Sequence, residues 1–351
     1  MSLSVQLKKR YGNFLLDSEF ECGNEVLALL GASGCGKSVT LRCIAGIDKP
    51  DEGRIVLDGR VLFDSEKKIN LKPQARRAGY LFQQYALFPS MTVLQNVASG
   101  VREKDKSARD ALVDDMIRRF RLQGLEALRP RQLSGGQQQR AALARIFASK
   151  PAAILLDEPF SALDSYLKWQ LEMELFEMLK DYEGSILWIS HDRGEVFRNC
   201  AKVCAMDAGR TEPVRPVEEL FRDPITVSSA RLSGCKNIVE AQPSNEWMTA
   251  EVPSWNLSLQ CSKELPKTKF CLGIRANHLR QASEKDVNPL VCTLRRITDD
   301  LFSVILMLQV HGAKEDAPLL RMEMPKELWS PQPCGSDLTL SIAPEDILIL
   351  K

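Results

Sequence analysis

Gly31-Ala32-Ser33-Gly34-Cys35-Gly36-Lys37-Ser38 fits the pattern G-x-x-x-x-G-K-[ST] and is followed by Val39. The run before it, Glu25-Val-Leu-Ala-Leu-Leu30, is short and apolar, the signature of a buried parallel strand. Gly31, Gly34 and Gly36 let the backbone turn tightly and aim N–H groups at phosphate oxygens. Lys37 adds a point charge for the β- and γ-phosphates, and Ser38 offers a hydroxyl to Mg2+. Val39 to Ile44 continues as a helix whose N-terminal dipole faces the anion. Strand, loop and helix together predict a site for a nucleoside triphosphate.

Downstream stretches add to that site. Asp157 follows the apolar run Ala153 to Leu156, and a carboxylate at such a strand end suits Mg2+, usually held through water. Glu158 is its neighbour, and His191 follows a third apolar run, Ser185 to Ser190. Leu133-Ser-Gly-Gly-Gln137 opens a helix predicted over 137–149. Ser134 is a good N-cap, and the small residues Gly135 and Gly136 let an anion approach that helix end.

The order and spacing of these motifs resembles the ATP-hydrolysing subunit of ABC transporters, over roughly the first two thirds of the chain. The resemblance implies ATP and Mg2+ as ligands. It makes Glu158 the general base, His191 the switch residue at the γ-phosphate, and Gln83, in Leu81-Phe-Gln-Gln-Tyr-Ala-Leu-Phe-Pro89, the glutamine near metal and attacking water. Ser38, Gln83 and Asp157 become the metal-side residues, and Tyr11 the aromatic against adenine. Ser134, Gly135, Gly136 and Gln137, with Asp164, complete the ATP site of an opposite subunit. A head-to-tail homodimer with two ATP molecules between its halves is therefore expected. The segment after Gln83 would touch an integral membrane permease. A periplasmic or extracellular solute-binding protein would be an indirect partner.

Composition agrees. A chain of 351 residues can bury at least two cores. A net charge of +1 gives no nucleic-acid footprint, and no nucleic-acid partner is expected. No charged-then-apolar leader is seen, and no apolar run approaches the roughly 20 residues that span a bilayer. A peripheral place on the cytoplasmic face of the membrane is expected. The ten cysteines are scattered without a C-x-x-C pair, one of them inside the phosphate loop, and read as reduced thiols.

Residues 1–232 are assigned to an α/β P-loop ATPase domain. Its strands and helices alternate as in a parallel sheet, with a helical subdomain at about 89–150. There Ala108, Leu112, Met116 and Phe120 fall on one face. Pro213 and Pro216 break regular structure. Residues 233–351 change to short strands between Pro, Gly, Asn and Lys, which predicts a small all-β barrel. Gly273-Ile-Arg275 and Ala343 to Asp346 make it resemble the TOBE-type regulatory domain of some importer ATPases. Leu232-Ser-Gly-Cys-Lys-Asn-Ile238 is similar to molybdate-type members, and Ser233, Gly234, Lys236 and Asn237 offer groups for an oxyanion. Molybdate or tungstate is the first expectation for the solute, sulfate the second, with iron, sugar and polyamine behind them. The alternatives are a soluble ABC ATPase outside transport and a C-terminal domain serving only dimerisation.

Overall fold

The computed structural model describes residues 2–161 and 165–351, and the chain divides between Val217 and Glu218 into two compact units. In the first unit the order begins β1 (Leu3–Tyr11), β2 (Phe14–Cys22), β3 (Val26–Gly31), α1 (Lys37–Ala45), β4 (Glu52–Leu57), β5 (Arg60–Asp64) and β6 (Ile69–Asn70). It continues α2 (Pro73–Arg76), β7 (Ala78–Leu81), α3 (Val93–Gly100), α4 (Lys106–Arg119), α5 (Gly135–Ala148) and β8 (Ala153–Asp157). It ends α6 (Ser165–Leu179), β9 (Ser185–Ser190), α7 (Arg193–Asn199), β10 (Lys202–Asp207), β11 (Arg210–Thr211) and β12 (Arg215–Pro216).

One sheet runs β6-β5-β4-β1-β2-β11-β10-β3-β9-β8-β7, with β12 also on β10. Strands β10, β3, β9, β8 and β7 pair in parallel. Their apolar runs are buried on both faces, as a covered parallel sheet requires. The carboxyl ends of β3, β8 and β9 therefore share one edge, where ligands of open α/β sheets bind. The parallel part expected from the alternation of strands and helices is extended by an antiparallel wing. Strands β1, β2, β4, β5 and β6 pair antiparallel. Their hairpins turn through Gly12-Asn13, between the partners Tyr11 and Phe14, and Asp58-Gly59, between Leu57 and Arg60. Positive φ at Gly12, Asp58 and Gly59 matches the strand twist there.

The helical segment is built from α3, α4 and α5. On α4 the buried face is Val113, Met116, Ile117 and Phe120, while Ala108 is exposed and Leu112 half-buried. The expected stripe was one residue off at its start, because only the second half of α4 is covered.

Arg76 is fully buried at the C-terminal end of α1. Its guanidinium donates to the carbonyls of Cys43 at 2.7 Å and Ile44 at 2.9 Å, to Leu71 O at 2.8 Å, and to Asn70 Oδ1 at 2.7 Å. Burial lowers its pKa, and the helix's negative end compensates the charge. Replacing Arg76 with Ala should destabilise the unit by about 3 kcal/mol, because carbonyls at a buried helix end lose their donors and a cavity opens. Lysine should not rescue, since one ammonium cannot match the planar fork. Urea unfolding checks this, and a loss under about 1 kcal/mol would contradict it.

The second unit holds two five-stranded sheets around one core, consistent with an OB-like arrangement of half-barrels. One runs Leu257–Gln260, Thr249–Val252, Asn237–Pro243, Phe270–Ile274, Ile347–Leu350. The other runs Arg280–Gln281, Asp337–Ser341, Pro289–Asp299, Ser303–Val310, Leu320–Pro325. All neighbouring pairs are antiparallel. Trp255, Leu272, Leu294 and Leu306 lie in the core between them. The division falls at 217/218 rather than 232/233. The helix Val227–Leu232 belongs to the second unit because Ala230 packs with Cys235, Leu348 and Leu350. Arg275 also donates to the carbonyls of Phe221 and Ser233.

All ten cysteines are free thiols, and burial pushes Cys22 and Cys43 up to about 12. Among the described residues no helix is long and apolar enough to cross a membrane.

Candidate functional site

The loop between β3 and α1 is held close to its neighbours. A Cβ on Gly31 would lie 2.3 Å from Met206 O, so no larger residue fits. Gly36 caps α1 at φ 111°, a conformation that favours glycine. Lys37 is only 6% exposed, and its ammonium donates to Gly31 O at 2.8 Å and Ala32 O at 3.0 Å. A cation held by carbonyls at a helix N-terminus makes a strongly anion-seeking pocket. Tyr11, Ser33, Gly34, Gly36, Lys37, Ser38, Val39 and Glu158 line one cleft of about 380 Å³, joined by Phe14 and Arg42. Ala32 and Cys35 complete the loop, with Cys35 buried beneath it.

Tyr11 is 42% exposed at the cleft. Its hydroxyl donates to Asp48 Oδ2 at 3.0 Å, which also takes Arg42 Nε at 2.8 Å, and the Lys9 ammonium lies 5.0 Å from the ring centroid. The ring is thereby oriented while one side stays open.

Ser38 Oγ donates to Asp157 Oδ1 at 2.8 Å, and Tyr80 OH donates to Oδ2 of the same carboxylate at 2.6 Å. Among the described residues no three His, Cys, Asp or Glu side chains gather as a metal cage. One hydroxyl and one carboxylate at the mouth of a phosphate loop fit a hard cation that takes its other ligands from phosphates and water. Mg2+ fits that donor set.

Glu158 has φ 48°, a strained value for a non-glycine residue. Its N–H donates to Ile189 O at 3.1 Å, fixing the turn. His191 Nδ1 lies 3.4 Å from Glu158 Oε2. Gln83 Nε2 donates to Ser161 Oγ at 3.0 Å, and Ser161 Oγ donates to Glu158 O at 3.1 Å. Gln83 thus reaches the Asp157–Glu158 turn through a serine.

His191 is positioned from behind. Asp192 caps α7, accepting from the N–H groups of Gly194 and Glu195. Lys168 on α6 reaches Asp192 Oδ2 at 2.5 Å and Glu195 Oε2 at 3.1 Å. Trp188 Nε1 donates to Glu195 Oε1 at 2.6 Å. Burial raises the Glu195 pKa against these partners.

Ser134 caps α5 in a reciprocal box: its Oγ accepts from Gln137 N at 3.3 Å, and its N–H donates to Gln137 Oε1 at 2.9 Å. The predicted start at 137 moves back to Gly135 because this box forms. Ser134, Gly135, Gly136 and Gln137 are not among the described residues lining the phosphate cleft. Asp164 lies outside the described residues. Helix α5 also holds the segment after Gln83: Arg145 donates to Ala86 O at 2.9 Å and Tyr85 O at 3.3 Å and sits over Phe88.

The four expected oxyanion groups do not converge. Ser233 Oγ donates to Ala230 O at 2.9 Å and accepts from Arg275. Asn237 is buried, its amide donating to Ile274 O and Arg321 O and accepting from Arg321 N, so it ties the two sheets together. Gly234 follows the helix end at φ 97°, and Lys236 points into solvent. The segment forms a helix stop and a sheet anchor.

Tyr80 and Lys168 went unmarked in the sequence. A single tyrosine in a buried strand, and a lysine on a helix, gave no motif.

Residues 17–161 match the family model described as ABC transporter. The molybdenum import ATP-binding protein ModC of Paramagnetospirillum magneticum is 38% identical over 222 residues, covering 63% of this chain and 61% of that relative. The spermidine/putrescine import ATP-binding protein PotA of Nitratidesulfovibrio vulgaris is 41% identical over 230 residues, covering 64% of this chain and 60% of that relative. This chain therefore spans 60 to 61% of the length of those two proteins. A solved dimeric ATP-binding cassette in a post-hydrolysis state, bound to ADP and Pi, is 27% identical at a TM-score of 0.52, covering 62% of this chain and 99% of that one. The first unit has the ABC ATPase fold, and its residues 17–161 are similar to the ABC transporter family.

Proposed function

We propose that this chain is the ATP-hydrolysing subunit of an ABC importer, acting as a homodimer beneath membrane permease subunits. The observation that carries the reading is the convergence of Lys37, Ser38, Asp157, Glu158 and His191 at one sheet edge, with the Ser134 end of α5 outside that cleft. An ATP site lacking that end in one chain is completed by a second chain.

Phosphoryl transfer needs positioning and charge stabilisation more than covalent chemistry. The loop amides and Lys37 bind the phosphates. Mg2+, held at Ser38 and Asp157, would neutralise charge developing on the phosphates. Glu158 takes a proton from the attacking water, and His191 steadies the γ-phosphate beside it. Tyr11 offers its open ring to the adenine. Hydrolysis reopens the pair, and the half-exposed Phe88, following Gln83, passes that motion to the permease.

The solute is a small ion carried by such importers. Molybdate is supported by the likeness to ModC, and a polyamine equally by the likeness to PotA. With Ser233 and Asn237 bonded internally, the oxyanion reading rests on that likeness. The second unit serves as a regulatory or dimerisation domain. Reconstituting the chain with its permease and solute-binding protein in vesicles, and measuring ATP-driven uptake of molybdate and of spermidine, tests the proposal. Uptake of one names the solute. ATP hydrolysis without uptake under any permease would favour a soluble, non-transport ATPase.

A further inference from the structure

Tyr80 lies on β7, next to β8, whose last residue is Asp157. Its ring is buried, 4.3 Å from the Phe82 ring between centroids. A buried phenol must find an acceptor, and this one donates to Asp157 Oδ2 at 2.6 Å. Ser38 donates to Oδ1 at 2.8 Å. The two oxygens of one carboxylate are thus held by two donors, one from the phosphate loop and one from outside it. With Oδ2 fixed, the carboxylate plane is fixed, and Oδ1 stays turned toward Ser38.

We propose that Tyr80 is a positioning residue for the divalent cation that accompanies ATP: it orients the Asp157 carboxylate and so sets the site's metal affinity. The inference rests on the ATPase reading above and adds a residue to it. Partners of metal-binding carboxylates commonly govern affinity by about 10- to 100-fold.

The test uses the full chain carrying Glu158→Gln, so that ATP persists. Mn2+ binding to the ATP-loaded protein is followed by electron paramagnetic resonance, and ATP affinity is measured separately in EDTA. Tyr80→Phe should weaken Mn2+ binding about tenfold and leave metal-free ATP affinity within about twofold. In an Asp157→Asn background the same substitution should have no further effect, since Tyr80 acts through that carboxylate. Unchanged Mn2+ affinity, or an equal loss in the Asp157→Asn background, would reduce Tyr80 to a packing residue. A fluorotyrosine at position 80 gives a second reading without deleting the hydroxyl. Its fluorine resonance should shift when Mg2+ joins ATP and stay still with Asp157→Asn; a resonance indifferent to Mg2+ overturns the proposal. A parent protein that binds no ATP at all would instead sink the ATPase reading, so the two failures are distinguishable.

Discussion

Glu158→Gln should lower ATP turnover by about 10²- to 10⁴-fold while leaving ATP binding at Lys37 intact. Glutamine keeps the shape of the side chain but cannot accept a proton from water. The backbone strain at Glu158 and the N–H donated to Ile189 O lie in the main chain, so the turn survives the change. The side chain's partner, His191 at 3.4 Å, can still donate to an amide oxygen. Loss of rate without loss of binding is the mark of an interaction made only in the transition state. The variant should also accumulate as an ATP-bound dimer, because closure proceeds and reopening waits on hydrolysis. Phosphate release, equilibrium ATP binding and light scattering read the three parts separately. Turnover within about threefold of the parent would remove Glu158 as the base.

The site was legible where chemistry forces residue type and spacing together. A lysine after three glycines, between an apolar strand and a helix, admits few other uses, and Lys37, Ser38, Asp157, Glu158 and His191 are found at one edge. The antiparallel wing was less visible, although Gly12-Asn13 and Asp58-Gly59 carry its hairpin turns. Alternating strands and helices further along outweighed those turns. In the second unit the turn residues announce short strands, while Asn237–Pro243 and Thr249–Val252 carry little strand signal of their own. The polar residues around the former suggested a ligand. Asn237 shows why such residues are ambiguous: a buried amide joining two sheets looks, in sequence, like one free to bind an anion. Tyr80 was hidden for the opposite reason, since an aromatic in a buried strand is ordinary until its hydroxyl is seen on Asp157.

Ser134→Glu should abolish hydrolysis in the homodimer, by about 10²-fold or more, and yet complement a second inactive variant. Ser134 is exposed and spends its hydroxyl only on the N–H of Gln137. A carboxylate there suits the positive end of α5, so the fold should lose no more than the cap, about 1 kcal/mol. Gly136 is a poorer choice, because a Cβ would meet Leu171 Cδ1 at 2.9 Å and disturb packing. Against a γ-phosphate presented by a second chain, the new charge repels. Lys37→Ala is inactive for another reason, having lost the phosphate's own cation. In a head-to-tail pair of one Ser134→Glu and one Lys37→Ala chain, both defects fall in the same composite site, and the other site is wholly native. Mixing the two inactive proteins equally should therefore restore about a quarter of the parent rate, half the dimers being mixed and each holding one good site that works independently. If each chain instead completed its own site, every site in the mixture would carry one defect and no rate would return. Absence of recovery, with pairing verified by differently tagged chains, would count against two independently working head-to-tail sites. Full turnover by a demonstrably monomeric chain would dispose of the shared site altogether.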